Sequence, residues 1–132
     1  MTNDDFFNGV CECLEDVTEV PQEEIKAGDS IINDLDADSL DLLHLIFSLE
    51  QHFKLSIKPR EIERRAKANL GEIPLEIDGV YTAEALGELS KSMPEVPKEE
   101  FREGMTTGEL PRLFRVQTFV NLVKSFSEEQ HG

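Results

Sequence analysis

The segment from Asp38 to Phe53 constrains the fold more than any other part of this sequence. It contains no glycine or proline, and Asp38 is a favoured residue for an α-helix N-cap. Because a helix turns by about 100° per residue, five apolar side chains fall on one side of it: Leu42, Leu45, Ile46, Leu49 and Phe53. This pattern predicts an α-helix over 39–53 that buries one face in a core.

The same segment carries a second, narrower apolar stripe on another side. It consists of Leu40, Leu43 and Phe47, and it is flanked by His44, Glu50 and Gln51. One interpretation is burial under another element, for which residues 71–100 are a candidate. The other is an exposed strip on which partner proteins dock. The sequence leaves both interpretations open.

The remaining elements are predicted mainly to be helices. Asn3 is expected to cap a first helix that ends near Glu19, and residues 18–37 form a long connection whose apolar side chains pin it to the core. The back half predicts a short helix over Arg60–Asn69 stopped by Gly71, extended chain around Asp78-Gly79, a helix over 83–92 capped by Thr82, and a last helix from about Thr107 to Phe126. A turn is expected near Ile57-Lys58-Pro59.

The charge lies almost entirely in the front of the chain. Residues 1–50 hold 14 acids and one base, residues 51–132 hold 14 acids and 12 bases, and the net charge is -15. Such a balance argues against nucleic acid and against an anionic membrane surface as partners. It favours partner proteins with basic patches.

Other sequence features point to the cellular setting. No apolar run approaches the length of about 20 residues that spans a membrane, and no secretory leader is recognisable. Cys11 and Cys13 lie two apart on a predicted helix, where they point to different sides, so neither a mutual disulfide nor a shared metal is expected. The prediction is a soluble, cytoplasmic monomer without stable membrane insertion.

Ser39 lies in the first turn of the helix over 39–53. A serine beside an aspartate cap is a common structural feature, and capping alone would explain it. However, a helix N-terminus also favours a phosphate group through its N–H groups and dipole. A phosphodiester on Ser39 would be stabilised there, although the surrounding acids mean that an enzyme must attach it.

The stretch Asp34-Leu35-Asp36-Ala37-Asp38-Ser39-Leu40-Asp41 resembles the attachment motif of acyl carrier proteins. The similarity extends over about residues 3–58 and includes the long first loop and the second helix. It implies an all-α fold, an acyl-carrier-like four-helix bundle with an enlarged region between the second and last helices. The chain is then a single domain over 1–132 with an insertion at about 59–105.

The resemblance also implies a function without catalysis. Ser39, with Asp38 and Leu40 beside it, accepts a 4'-phosphopantetheine arm from coenzyme A through a phosphopantetheinyl transferase. The arm carries an acyl group as a thioester, sheltered between the helices. Basic docking patches on acyl-loading, elongating and acyltransferase enzymes of fatty-acid or lipid synthesis would meet six residues: Leu40, Asp41, Leu43, His44, Phe47 and Glu50.

The chain departs from the family in several places. Asp36 stands where the family usually has glycine, which puts the loop geometry in question, while His44 and Gln51 replace frequent acids. The added length is similar to that of specialised carriers that supply lipid A (lipopolysaccharide) assembly. The inserted apolar residues, Leu70, Ile73, Leu75, Ile77, Val80, Leu86, Leu89 and Met93, would either enlarge the core or form a wider cavity or lid.

A basic patch opens the inserted region. It consists of Lys58, Arg60, Arg64, Arg65 and Lys67. The favoured interpretation is a solvated face partly neutralised by Glu61 and Glu63. The alternatives are pairing with the acidic half and contact with an anionic lipid or an acidic partner.

Other functions fit less well. Asp34, Asp36 and Asp38 match three positions of a calcium-binding EF-hand loop, but Ser39 and Leu45 stand where glycine and a carboxylate are required, so no metal site is expected. A catalytic serine lacks a tied histidine motif. The alternatives that stay open are a stand-alone polyketide or peptidyl carrier, which uses the same arm, and an unmodified helical adaptor.

Overall fold

The computed structural model describes residues 2–58 and 60–131, so Pro59, which lies in the predicted turn and at the predicted start of the insertion, is outside the described residues. Five α-helices run through this part of the chain: α1 (Asn3–Thr18), α2 (Ser39–Phe53), α3 (Glu61–Leu70), α4 (Ala83–Ser92) and α5 (Val116–His131). A small hairpin of β1 (Glu76–Ile77) and β2 (Val80–Tyr81) separates α3 from α4. The predicted all-α fold class is confirmed, with the enlarged region between α2 and α5.

The chain divides into two compact units. The first unit comprises the described residues up to Ile57 together with those from Phe114 onwards, and the second unit comprises the described residues within Lys58–Leu113. In the first unit α1 packs against α2 and α5, and in the second unit α3 packs against α4. The single-domain description with an insertion at about 59–105 stays a prediction.

Helix α1 begins one residue earlier than the sequence indicated. Thr2, not Asn3, is the N-cap, because the Thr2 hydroxyl accepts a hydrogen bond from Asp5 N (3.2 Å) while Thr2 N donates to Asp5 Oδ2 (2.8 Å). This reciprocal pair satisfies two backbone donors at once. The helix ends on Glu19, whose left-handed φ of 67° stops it as expected.

The start of the last helix was predicted wrongly. Thr107–Leu113 form a 3-10 segment containing Pro111, and α5 starts only at Val116. The chain between them is extended, with Ile31 N donating to Phe114 O (3.0 Å) and a β-bridge between Ser30 and Arg115. Pairing with a distant loop therefore replaces the helical bonds that Phe114 and Arg115 would make.

The end of α5 also differs from the expectation. The helix continues past Phe126 to His131, because its polar last turn binds the chain that follows α2. Gln130 accepts from Ser56 N (3.0 Å) and donates to Ser56 O (2.9 Å), and His131 Nε2 lies 2.8 Å from Lys54 O. These partners lie far away in sequence, so the periodicity of apolar residues does not record them.

Gly9 lies at a close approach of α1 to α2. A Cβ atom at this position would overlap the Phe53 ring and would lie 2.9 Å from His52 Nε2. Phe53 is itself packed in the core against Phe6, with ring centroids 5.8 Å apart. The backbone of α1 at Gly9 therefore packs directly against the Phe53 ring of α2, and only glycine leaves room for this ring.

Gly9→Ala is expected to destabilise the protein by about 1–2 kcal/mol, because overpacking outweighs the gain in helix propensity. Gly87→Ala on α4 is the matched control, since a Cβ there meets nothing within 4 Å. That control is expected to be neutral or stabilising by up to about 1 kcal/mol. Urea unfolding followed by far-UV circular dichroism measures both. Equal stability of the two variants would contradict the close packing at Gly9.

The second unit contains the turn and the helix cap that the sequence predicts. Asp78 and Gly79, with φ of 53° and 81°, form the two-residue turn expected of a tight hairpin. Thr82 caps α4 as predicted, accepting from Ala85 N at 3.2 Å.

The second unit also has a hydrophobic core of its own. Of the inserted apolar residues, four are buried: Leu70, Leu86, Leu89 and Met93. Ile73 and Ile77 are exposed, so the inserted set enlarges the buried interior only in part.

The basic patch is tied to carboxylates of its own unit. Arg60 forms two hydrogen bonds to Glu63, of 2.7 and 2.8 Å, and Arg64 binds both oxygens of Glu61. Glu61 and Glu63 are nevertheless buried, at 3% and 7% exposure. The prediction that these two acids partly neutralise the patch is confirmed. Lys67 instead donates to the carbonyls of Gly71 and Ile73 (2.9 and 3.0 Å), beyond the end of α3.

Tyr81 completes this network from β2. Its buried hydroxyl donates to Glu63 Oε2 at 2.8 Å. Burial and the neighbouring Glu63 carboxylate raise the pKa of Tyr81 far above its usual value. Burial alone would raise the pKa of Glu63, but hydrogen bonds from Arg60 and Tyr81 with the Arg60 charge hold it below its usual value.

These shifts predict how the stability of the second unit depends on pH. The Tyr81 contribution is complete below a pH of about 10, where the phenol is neutral in both states, and is lost as the pH rises through the raised folded pKa. The Glu63 contribution is complete above a pH of about 4.3 and is lost as the pH falls through the lowered folded pKa. Tyr81 is the one tyrosine in a chain without tryptophan, so tyrosinate absorbance reports it directly. Ionisation of Tyr81 near pH 10 in the folded protein would contradict the network.

Candidate functional site: the start of helix α2

Ser39 is the first residue of α2 and its side chain is exposed. Asp38 is the N-cap, as predicted: its Oδ1 accepts from Asp41 N (2.9 Å), while Asp38 N donates to Asp41 Oδ2 (3.1 Å). Since the first N–H groups of a helix have no intrahelical acceptor, this terminus favours negative charge. The exposed Ser39 hydroxyl therefore lies at the N-terminus of α2, where the negative charge of a phosphate group is stabilised.

The loop before Ser39 is held against the core of the first unit. Ile25, Ile31, Leu35 and Ala37 are buried, which agrees with the prediction of a pinned connection. Ala37 N donates to Ile31 O at 3.1 Å, directly before the N-cap. Ser30 N donates to Asp34 Oδ2 at 2.7 Å. The sequence reasoning missed this role of Asp34, because the carboxylate binds a backbone N–H four residues before it and not two residues after it, as in the common Asx turn.

Asp36 resolves the question raised by the missing glycine. Its backbone has φ of 60°, the left-handed conformation that glycine adopts without cost. Aspartate tolerates this conformation better than most residues. The loop therefore keeps the turn before Ala37 despite the substitution.

The second apolar stripe of α2 is exposed to solvent. Leu40, Leu43 and Phe47 are 59%, 60% and 63% exposed, whereas Leu42, Leu45, Leu49 and Phe53 are buried. Among the described residues of its own unit no element covers the stripe, which favours the second interpretation, an exposed strip on which partner proteins dock. Three large apolar side chains on one open helix face form a surface suited to binding another protein.

The acids predicted beside the stripe serve the fold. Asp38 and Asp41 satisfy each other's backbone N–H groups at the N-terminus of α2. Glu50 Oε2 accepts from Ile57 N at 2.8 Å and so holds the chain after the helix. His44 is exposed. The structure thus places all six predicted docking residues on α2, with an apolar centre and acids at its two ends.

Cys11 and Cys13 do not belong to this site. Both are free and buried on α1, at 2% exposure. Burial, with the charge of Asp29, raises the pKa of the Cys11 thiol to about 11. Burial likewise raises the pKa of Cys13. Neither thiol is a nucleophile in the folded protein near neutral pH.

The described grooves lie elsewhere. One open groove is lined by α1 and the second half of α2 with Glu12, Glu15, Asp16 and His52, and another in the second unit includes Arg102 and Arg112. In residues 2–58 and 60–131 no three histidine, cysteine or acidic side chains are placed to hold a metal ion. Within the same ranges, no helix combines the length and apolar character needed to cross a membrane.

Comparison with known proteins assigns the class. Residues 8–72, which include Ser39 and the loop before it, match the family described as a phosphopantetheine attachment site. That match ends soon after α3, so the hairpin and α4 of the second unit lie beyond it. No solved structure matches the chain.

Three curated relatives name the family more closely, and each is an acyl carrier protein. The one from Petrotoga mobilis is 38% identical over 64 residues, 48% of this chain and 75% of the relative. Those from Lactobacillus acidophilus and Wolinella succinogenes are 36% and 35% identical over 64 and 61 residues, 48% and 46% of this chain, and each is covered to 80%. The chain belongs to the acyl carrier protein family. Its prosthetic group is a covalently attached 4'-phosphopantetheine.

Proposed function

We propose that this protein carries an acyl chain as a thioester on a 4'-phosphopantetheine arm attached to Ser39. The observation that carries the proposal is the exposed hydroxyl at the first position of a capped helix, inside the matched region. The residues fit the group, because Ser39 lies in the open and the N-terminus of α2 favours the phosphate charge. In this role the protein presents its substrate to other enzymes and catalyses no step itself.

Attachment is a phosphoryl transfer from coenzyme A. The Ser39 oxygen forms a bond to phosphorus, the pyrophosphate bond of coenzyme A breaks, and adenosine 3',5'-bisphosphate leaves. The hydroxyl proton passes to a base on the transferase or to solvent. The chain's own contribution is to hold Ser39 at the helix start, where Asp38 fixes the first turn through Asp41 N.

The partners in this proposal are proteins with basic, apolar-centred docking sites. They comprise a phosphopantetheinyl transferase and the acyl-loading, elongating and acyltransferase enzymes of fatty-acid or lipid synthesis. The stripe of Leu40, Leu43 and Phe47 supplies the apolar contact. The net charge of -15 steers encounter with basic surfaces. A cytoplasmic setting is part of the proposal.

The second unit motivates the narrower hypothesis of a specialised carrier. It inserts a core, a hairpin and two helices between α2 and α5, and most of it lies beyond the family match. The hypothesis is that this enlarged carrier supplies long acyl chains to lipid A assembly. Mass spectrometry of the acylated protein isolated from its native cells tests the hypothesis, and arms loaded with aminoacyl or short polyketide units would contradict it.

Phe47→Ala is expected to raise the KM of the carrier for a phosphopantetheinyl transferase by about thirtyfold, because a buried aromatic anchor at an interface contributes on the order of 2 kcal/mol. The kcat is expected to stay within about twofold, since the change lies away from the Ser39 hydroxyl. Ile77→Ala is the matched control, because Ile77 is 60% exposed but lies in the second unit. Equal KM values for the two variants would show that the stripe is not part of the docking surface.

The proposal is tested by intact-mass measurement after incubation with coenzyme A and a broad-specificity phosphopantetheinyl transferase. We expect the addition of one 4'-phosphopantetheine group, located on Ser39 by peptide mapping. Failure of several transferases to change the mass would favour the unmodified adaptor. Loading by acyl-activating rather than aminoacyl-activating enzymes separates the acyl carrier from a peptidyl carrier.

A further inference from the structure

In the loop before Ser39, the turn at Ser30 contains several hydrogen bonds. Ser30 is 1% exposed, and its N–H donates to Asp34 Oδ2 at 2.7 Å. Its carbonyl accepts from Asp34 N (2.9 Å) and Leu35 N (3.1 Å), and its hydroxyl accepts from Asn33 N (3.1 Å). A single turn thus engages the backbone and the side chain of a buried polar residue.

This turn is hydrogen-bonded to the start of α5. Ile31 N donates to Phe114 O (3.0 Å), and Val116 N donates to Asp29 O (2.9 Å). Ser30 pairs with Arg115 in the β-bridge. The first N–H of α5 therefore finds its acceptor in the loop, so the two segments hold each other in register.

The other side of the turn leads to Ser39. Ile31 O accepts from Ala37 N at 3.1 Å, and the Leu35 and Ala37 side chains are buried at 5% exposure each. The next two residues are the N-cap Asp38 and Ser39 itself. The position of the Ser39 hydroxyl is consequently set by the loop before it as well as by α2.

We infer that Asp34 is a positioning residue for the modification of Ser39, an inference that rests on the proposed function. Asp34 closes the turn with its carboxylate, yet its side chain is exposed, so removing it leaves no cavity. Its loss would leave the buried Ser30 N–H without that acceptor, which favours a different arrangement of the turn. Ser39 would then reach the reacting phosphorus less often in the right geometry.

The test compares Asp34→Ala, Asp34→Asn and Asp36→Asn as substrates of a phosphopantetheinyl transferase, with the product measured by intact mass. Asparagine at 34 keeps an oxygen acceptor for Ser30 N but removes the charge. Asp36→Asn removes an equal charge two residues away. We expect Asp34→Ala to lower kcat about tenfold, since small displacements of a reacting group cost this much or more. The two asparagine variants stay within about twofold of the unchanged protein.

The division between kcat and KM separates positioning from folding. Because the carrier is the substrate, an unfolded fraction lowers its effective concentration and raises the apparent KM, while a misplaced Ser39 lowers kcat. An effect of Asp34→Ala on KM alone, or no effect at all, would overturn the inference. Equal losses in Asp34→Ala and Asp34→Asn would also overturn it, because they would assign the effect to charge.

Hydrogen exchange of the unmodified protein distinguishes this inference from the proposed function. Asp34→Ala is expected to accelerate exchange of the Leu35 and Ala37 amides, with Leu49 in the core unaffected, and Asp34→Asn is expected to restore protection. If the unchanged protein receives no arm, the proposed function fails. The exchange result then still decides whether Asp34 orders the segment before Ser39. Unaltered exchange of Leu35 and Ala37 in Asp34→Ala would reject the ordering role.

Discussion

Ser39→Ala is expected to abolish attachment of the 4'-phosphopantetheine arm completely. The substitution removes the one oxygen at the helix start to which the proposal assigns the phosphodiester, and no neighbouring side chain offers the same position. Helix α2 itself should persist, because Asp38 and Asp41 form its cap without the Ser39 side chain. Intact mass after incubation with transferase and coenzyme A measures the loss, and circular dichroism confirms the fold.

Ser48→Ala is the matched control for this experiment. Ser48 lies on the same helix, between the residues of the core stripe and the exposed stripe, and its substitution should leave attachment unchanged.

A thiol assay gives a second, independent result. The unmodified folded protein should react slowly, since Cys11 and Cys13 are buried with raised pKa values. The loaded protein should gain one fast thiol. An arm that persists in Ser39→Ala would refute the assignment.

Glu63→Ala is expected to destabilise the second unit by about 2–3 kcal/mol. The change removes the partner of three hydrogen bonds, two from Arg60 and one from Tyr81. Hydrogen bonds to charged groups contribute about 1.5–3 kcal/mol, and the buried Tyr81 hydroxyl is left without its acceptor. The exposed Arg60 guanidinium regains water, which keeps the loss below that of a fully buried ion pair.

Urea unfolding followed by Tyr81 fluorescence measures this effect where it occurs. Glu63→Gln, which retains an oxygen acceptor, is expected to lose less than Glu63→Ala. Glu88→Ala is the control, because the pair of Glu88 with Lys91 on α4 is long (3.4 Å) and its lysine is solvated. Such surface pairs contribute at most about 1 kcal/mol. Equal losses for Glu63→Ala and Glu88→Ala would show that burial of the network contributes nothing.

Predictions from the sequence succeeded where a structure depends on neighbouring residues. The bounds of α2, the Asp38 cap, the helix after Thr82 and the turn at Asp78-Gly79 were all correct. Each of these depends on a cap, a turn or a periodicity within a few residues. The same reasoning failed at Phe114 and Arg115, which pair with Ile31 and Ser30 instead of extending a helix.

The candidate site divides in the same way. The sequence by itself determined that Ser39 begins α2 and that two apolar stripes run along it, because capping and helical periodicity are local properties. Only the tertiary structure decided which stripe is buried, since that depends on the packing of α1 and α5 against one face. It also decided that Asp34 and Glu50 serve backbone N–H groups, and that the buried Glu63 joins Arg60 to Tyr81. Burial and pairing between distant segments are properties of the folded chain, and they assign these charged residues their roles.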